Sequence, residues 1–305
     1  MKSSCRMTQY YHDVTPDYSF FWNLGRSMAI RIGLWDRHTH SVAEALERED
    51  RYLAEEAGIT ANDHVLDAGC GVGGSAIYLA RTFGCRVTGI SLSAEQIKTA
   101  RRNARRHGVD HLVTFLVADF HATGLPDESF DAVWAVESIS HSDRKPLLLA
   151  ELYRVLKSGG RLIGADYFST RAVYDASISA LRRRVFDGLY FQEFAFVPRF
   201  GNDLTANGFT DIDFYDVTPA ALPSARHFDL LTRRWAWAAA LLKRLGLRSR
   251  AQDLLARGLR VQFVALRDGI HQYRIFHAGK PLSDRSGTPR DGMRLTPVNE
   301  EVQAV

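Results

Sequence analysis

The chain has 305 residues, 46% hydrophobic and 24% charged, with a net charge of +4, which suits one large core with decoration and excludes fibrous and disordered classes. The small cationic excess falls in stretches such as Arg101-Arg102-Asn103-Ala104-Arg105-Arg106, which read as solvated helix faces and not as a nucleic-acid surface. Three scattered cysteines, Cys5, Cys70 and Cys85, offer neither a disulfide framework nor a zinc site; with no signal-like apolar start and no membrane-length apolar run, a cytoplasmic protein without a membrane span is expected.

Residues 8–35 are rich in aromatic rings, among them Tyr10, Tyr11, Tyr18, Phe21 and Trp22. A helix is expected over 41–57, with Val42, Leu46 and Leu53 on one side and Gly58 as its stop. From residue 64 strands and helices alternate: strands at 64–67, 85–90, 112–117, 130–136 and 161–166, helices at 73–83, 93–107 and 143–156. Ser93 opens the second of these helices as N-cap, and Lys157-Ser158-Gly159-Gly160 ends the third. Beyond 166 come a helix over 174–187, an aromatic stretch, a strand over 211–217, a long helical stretch and a strand over 271–278. Strands separated by helices pair in parallel through right-handed crossovers. The expected fold is therefore α/β: a Rossmann-like, doubly wound, mostly parallel seven-stranded sheet with a helical cap. The organisation expected is an aromatic helical lid over 1–60, a core domain over 61–280 with cap insertions at about 167–210 and 219–268, and a disordered polar tail over 281–305.

The run Val65-Leu66-Asp67-Ala68-Gly69-Cys70-Gly71-Val72-Gly73-Gly74 sets a glycine loop between a strand and a helix, where the backbone can approach a ligand closely and take positive φ. The crevice at the carboxyl end of such a sheet binds nucleotides. Gly69, Gly71 and Gly74 also satisfy the dinucleotide fingerprint, so the loop alone does not name the nucleotide. Its neighbours do more. Asp67 suits a cationic amino-acid group better than a pyrophosphate. The second strand ends at Ile90-Ser91, without the carboxylate expected for a nicotinamide-dinucleotide ribose. Asp119-Phe120 offers a carboxylate for an adenine amino group and a ring to stack on it.

Together these features resemble the class I S-adenosylmethionine-dependent methyltransferases, over roughly residues 60–170. The stretch Ser91-Leu92-Ser93-Ala94-Glu95-Gln96 is similar to that of the tocopherol, sterol, prenyl-diphosphate and cyclopropane-fatty-acid enzymes, in which a glutamine matching Gln96 takes over ribose recognition. A capping box between Ser93 and Gln96 is the plainer reading of the same pair. The resemblance implies S-adenosylmethionine as cofactor, an EC 2.1.1-type activity, and a cofactor site of Asp67, Gly69, Gly71, Gly73, Ser91, Leu92, Gln96, Asp119, Phe120 and Val136. The acceptor is then expected over the end of the fourth strand, where Glu137 is the first candidate for base or cation stabiliser and His141 the second. A structural carboxylate is the competing reading of Glu137. The aromatic segment, with Tyr11, Tyr18, Phe21 and Trp22, is similar to the lid that closes over cofactor and acceptor in the sterol and tocopherol enzymes. Arg26 and Arg31 are candidates for an anionic acceptor such as a diphosphate, or are simply exposed. The expectation is a small-molecule acceptor, lipid-like or isoprenoid and methylated at carbon, with N- or O-methylation as the alternative. No metal site is read from the residues, and a homo-oligomer is left open.

Overall fold

The computed structural model describes residues 2–22 and 24–282, and only the backbone of residues 2–8, 11, 12 and 26. The tail expected to be disordered therefore lies, beyond residue 282, outside the described residues. At the amino end α1 (Lys2–Phe21) and the short α2 (Leu24–Ser27) precede α3 (Val42–Glu56). Ser41 caps α3, accepting the Glu44 amide at 3.3 Å, and the helix buries Leu46, Leu53 and two acids, Glu49 and Asp50.

The alternating core then runs β1 (His64–Ala68), α4 (Gly74–Phe83), β2 (Arg86–Ser91), α5 (Ala94–Arg106), β3 (Val113–Val117) and β4 (Phe130–Val136). It continues through a 3-10 turn (Ile139–His141), α6 (Lys145–Val155) and β5 (Leu156–Ser169). After these come α7 (Ala176–Leu189), β6 (Ala195–Phe196), α8 (Val197–Ala206), β7 (Thr210–Asp216), α9 (Thr218–Arg234), α10 (Ala236–Arg244), α11 (Arg250–Arg267) and β8 (His271–Gly279). The main path of the sheet is β3-β2-β1-β4-β5-β8-β7, with β8 antiparallel to both neighbours. This is the mostly parallel doubly wound sheet expected, with β6 added as a two-residue parallel partner of β5.

One element differs in length. The expected fifth strand, 161–166, runs over Leu156–Ser169, because β8 offers it an unbroken ladder from Arg161↔Gly279 to Ser169↔His271. At its start Leu156 pairs Phe130 and a register shift passes the Gly159-Gly160 turn before the ladder resumes at Ala132↔Arg161. The central strands read as apolar runs because both faces are covered: Val65, Ile77 and Trp134 belong to one buried cluster, and Leu66, Val133 and Leu149 to the other.

Beyond the carboxyl end of the sheet, α11 packs against α7, α9 and α1. The crossing with α7 is glycine on glycine: a Cβ on Gly188 would stand 2.5 Å from the Gly258 Cα. Tyr10 on α1 donates to the Gly188 carbonyl at 2.7 Å. This brings the aromatic amino-terminal helix over the same end of the sheet as the glycine loop.

Candidate active site

Parallel strands leave their carboxyl ends pointing into one crevice. Here the ends of β1, β2 and β4 meet residues 28–32, α1, α7, α9 and α11 around a single cavity. From β1 come Asp67, Gly69, Cys70 and Gly71; from β2 and the start of α5, Ser91, Leu92 and Gln96; from β4, Val136, Glu137 and Ser138. Phe120, His141, Tyr18 and Trp22 also line it.

The loop needs its glycines. Gly69 has φ +111°, and a Cβ there would meet the Ser138 Cβ at 2.7 Å. Gly71 has φ +52° with nothing within 4 Å, so its backbone faces open space. Gly73 does not line the cavity: it opens α4 at φ +90° and faces the ring of Phe115, 2.8 Å from where a Cβ would stand. Its neighbour Gly74 takes the lining place.

Gln96 is not half of a capping box. Ser93 Oγ accepts the Gln96 amide at 3.3 Å, but the side-chain oxygen of Gln96 accepts from Ser91 Oγ at 2.8 Å instead of returning to the Ser93 amide. With that oxygen engaged, the NH2 is the group Gln96 has to offer a ligand. Asp119 stands behind Phe120, outside the lining, and takes the backbone N–H of His121 at 2.9 Å and its Nδ1 at 2.8 Å. Of the aromatic lid, Tyr18 and Trp22 reach the cavity, while Phe21 faces a second groove on the other side of α1. The Tyr11 side chain lies outside the described residues.

Beneath the glycine loop is a buried charged cluster that sequence reasoning missed. Arg31 pairs with Glu49 and, at 2.6 Å, with Asp50. Ser75 donates to Asp50 at 2.9 Å, and the Tyr273 hydroxyl to Glu49 at 2.8 Å. Arg31 is thus neither exposed nor offered to an anionic acceptor, which corrects that expectation. Asp67 adjoins the cluster with Oδ2 lacking a hydrogen-bond partner. Burial, and secondarily the nearby Asp50, pushes its pKa up to about 7. Glu137 accepts the Ile32 amide at 2.8 Å from an unusual φ of +44°. Burial pushes it up to about 8, against the Ile32 hydrogen bond. One guanidinium therefore stands among four carboxyl groups, those of Glu49, Asp50, Asp67 and Glu137. Such a site favours a ligand bringing positive charge.

His141 turns Nδ1 toward the Tyr190 carbonyl at 3.1 Å, and burial holds its pKa down at about 4, so the ring is neutral near pH 7. The far wall was also missed. Tyr167, Phe191, Phe228 and Leu259 close it, with the buried Gln262 beside the Tyr167 hydroxyl. A signal existed for Gln262: it interrupts the buried stripe Leu255, Leu259, Leu266 on α11.

A family model described as "Methyltransferase domain" matches residues 66–164. The chain is 36% identical over 178 residues to sterol 24-C-methyltransferase of Eremothecium gossypii, covering 58% of this chain and 46% of that enzyme. It is 31% identical over 228 residues to sarcosine/dimethylglycine N-methyltransferase of Halorhodospira halochloris, covering 74% of this chain and 78% of that one. Its fold is similar to that of the [4+2]-cyclase SpnF, with TM-score 0.73, 26% identity and coverage of 91% and 96% of the two chains. It is similar also to a geranyl diphosphate methyltransferase bound to GPP and sinefungin, with TM-score 0.74, 20% identity and coverage of 92% and 100%. The chain belongs to the class I S-adenosylmethionine-dependent methyltransferases. The cavity fits that family's cofactor: open backbone at Gly71, a carboxylate oxygen at Asp67 without a partner, and a carboxylate excess for a sulfonium and an ammonium.

Proposed function

We propose that the chain transfers the methyl group of S-adenosylmethionine to a carbon of a neutral, lipid-like or isoprenoid acceptor, with Glu137 as base or cation stabiliser. The observation that carries this reading is the cavity wall. Tyr18, Trp22, Tyr167, Phe191, Phe228 and Leu259 make it aromatic and apolar, and its one arginine is committed to Glu49 and Asp50. Among the described residues an acceptor with its own carboxylate or diphosphate would meet no available guanidinium or ammonium there; the Arg26 side chain lies outside them. An alkene, and the positive charge it gains on methylation, suits aromatic faces and a carboxylate.

The cofactor, when bound, supplies an electrophilic methyl group on a sulfonium. Transfer breaks the methyl–sulfur bond, forms a methyl–carbon bond and moves the positive charge to the acceptor, which then loses a proton to regain its alkene. The aromatic wall excludes water from that cation. Glu137, turned inward at the end of β4, receives the proton or holds the charge. For this it must be ionised, and positive charge entering the cavity lowers its pKa. His141 ranks second because its depressed pKa makes it the weaker base.

The relation to the sterol enzyme supports carbon methylation, and the relation to the sarcosine enzyme supports the alternative, transfer to the nitrogen of a small amine. The test is incorporation of labelled methyl into a panel of isoprenoid alkenes beside a panel of amines that includes sarcosine. Label in the amines and none in the alkenes overturns the reading. Cofactor binding with label in neither panel would point to a fold put to a use other than methyl transfer. Glu137→Gln should abolish transfer with cofactor affinity nearly unchanged; loss of cofactor binding instead would mean that its role is structural.

A further inference from the structure

Eight of the twelve large hydrophobic side chains exposed among the described residues gather at one end of the molecule. They lie on α1, the end of α9, α10 and the turn after it, with Trp237 67% and Leu247 69% exposed. α10 buries none of its residues. Trp237, Leu241 and Leu245, four apart, follow one another along the helix direction. A helix that buries nothing in its own protein while presenting tryptophan and leucine is unpartnered as it stands.

The charge of this region says what covers it. Residues 230–252 hold six cations, Arg233, Arg234, Lys243, Arg244, Arg248 and Arg250, and no aspartate or glutamate. Arg233, Lys243 and Arg248 reach acids outside the stretch. Arg234, Arg244 and Arg250 are exposed and form no ion pair among the described residues.

We propose that α10 and the turn that follows it dock this end of the molecule onto an anionic lipid surface. Tryptophan and leucine enter the interface between headgroups and acyl chains, and Arg234, Arg244 and Arg250 meet lipid phosphates, with their stems along the apolar layer. A second copy of the chain is the less suitable partner, since like cations would face each other. The contact is superficial: α10 has nine residues, and no described helix is long and apolar enough to cross a membrane.

The surface opens into a groove of ≈ 660 Å³ lined by Phe20, Phe21, Trp235, Ala239, Ala256 and Arg260. The groove is built on α1, α9, α10 and α11, of which all but α10 also wall the cofactor cavity. Trp22 and Phe228, stacked at 4.1 Å, line that cavity next to it. If the acceptor is lipid-like, as proposed above, docking brings the groove to its source; the docking itself does not depend on that.

The test is flotation of the full chain with vesicles of phosphatidylcholine alone and with phosphatidylglycerol added. Binding should be about tenfold stronger to the anionic vesicles, fall with added salt, and shift tryptophan emission to the blue. The double variant W237E/L241E should lose about tenfold in vesicle binding while its melting temperature and cofactor affinity stay those of the parent. No binding to anionic vesicles, equal binding by the variant, or a dimer in solution that the variant dissolves would each overturn the proposal. A failure of methyl transfer to any panel would leave these readouts unchanged.

Discussion

Cofactor binding should drive a proton off Asp67. In the ligand-free protein burial holds its pKa at about 7, so at pH 6 about nine-tenths of it is protonated. A unit positive charge brought within about 4 Å, at an effective dielectric constant of about 20, favours the carboxylate by about 4 kcal/mol, or about three pKa units. That returns Asp67 to the ordinary carboxylate range. Between about pH 5 and pH 6 binding then releases close to one proton, falling to about half a proton at about pH 7, and the dissociation constant falls nearly tenfold from about pH 5 to about pH 6. The assay is calorimetry in buffers of different ionisation enthalpy, kept below about pH 7.5 so that the ligand's own amino group stays charged. Glu137, raised to about 8, is expected to ionise toward the acceptor and not the cofactor, so Asp67→Asn should remove the release and Glu137→Gln leave it. A flat affinity with no buffer-dependent heat would refute the reasoning, as would an Asp67→Asn variant that kept the parent's slope. Stability of the ligand-free protein runs the other way. A folded pKa raised above the unfolded one favours folding fully below about pH 4, and that favour is lost as pH rises through about 7, at about 1.4 kcal/mol per unit per group.

Arg31→Met leaves Glu49 and Asp50 buried without their guanidinium and should cost about 3–5 kcal/mol in urea unfolding; a cost under about 1 kcal/mol would mean the two acids are neutral as they stand. Gln96→Ala should weaken cofactor binding about tenfold with the melting temperature kept, since one hydrogen bond to a ligand is lost; an unchanged affinity would reduce Gln96 to its bond with Ser91. Gly73→Ala forces a Cβ onto the Phe115 ring at φ +90° and should destabilise by about 1–3 kcal/mol. Because Gly73 does not line the cavity, the remaining folded protein should bind cofactor with the parent's affinity.

The alternation of strands and helices was legible because its causes are local. Runs such as His64-Val65-Leu66 lie in the middle of a sheet covered on both faces, and Ser93 closes its cap within four residues. The glycine loop was legible for the same reason: the backbone itself makes the site, so its residues are contiguous. What was illegible depends on partners distant in sequence. The length of β5 is set by β8, a hundred residues later, and no periodicity within 156–169 states it. The cap was readable as helices, but its packing turns on Gly188 meeting Gly258, two glycines that look like helix weaknesses when read alone. Asp119 was read with the cofactor from its place after β3, yet its side chain turns to His121, a contact two residues away that only the loop's conformation creates.

Arg31 is the clearest case of what sequence spacing hides. Between apolar Ile30 and Ile32, an arginine reads either as exposed or as waiting for an anionic substrate. Its partners, Glu49 and Asp50, sit on α3 in a segment dense with charges, where nothing marks these two as buried. Once α3 packs under the glycine loop, the arginine is consumed by acids of the protein's own, and the cavity above keeps a carboxylate excess at Asp67 and Glu137. The residue that seemed to argue for an anionic acceptor thus argues against one. Its charge is neutralised within the fold, which leaves a cation to be brought by the ligand. Glu137 then joins the two halves of the site: its carboxyl holds the Ile32 amide, next to Arg31 in the chain, so the amino-terminal segment cannot lift without exposing the group expected to face the acceptor. Glu137→Gln can keep the Ile32 bond through its amide oxygen while losing the charge, whereas Glu137→Ala loses both. The glutamine variant should therefore retain cofactor affinity and melting temperature and lose turnover. The alanine variant should lose all three, and equal behaviour of the two would separate the tie to Ile32 from catalysis altogether.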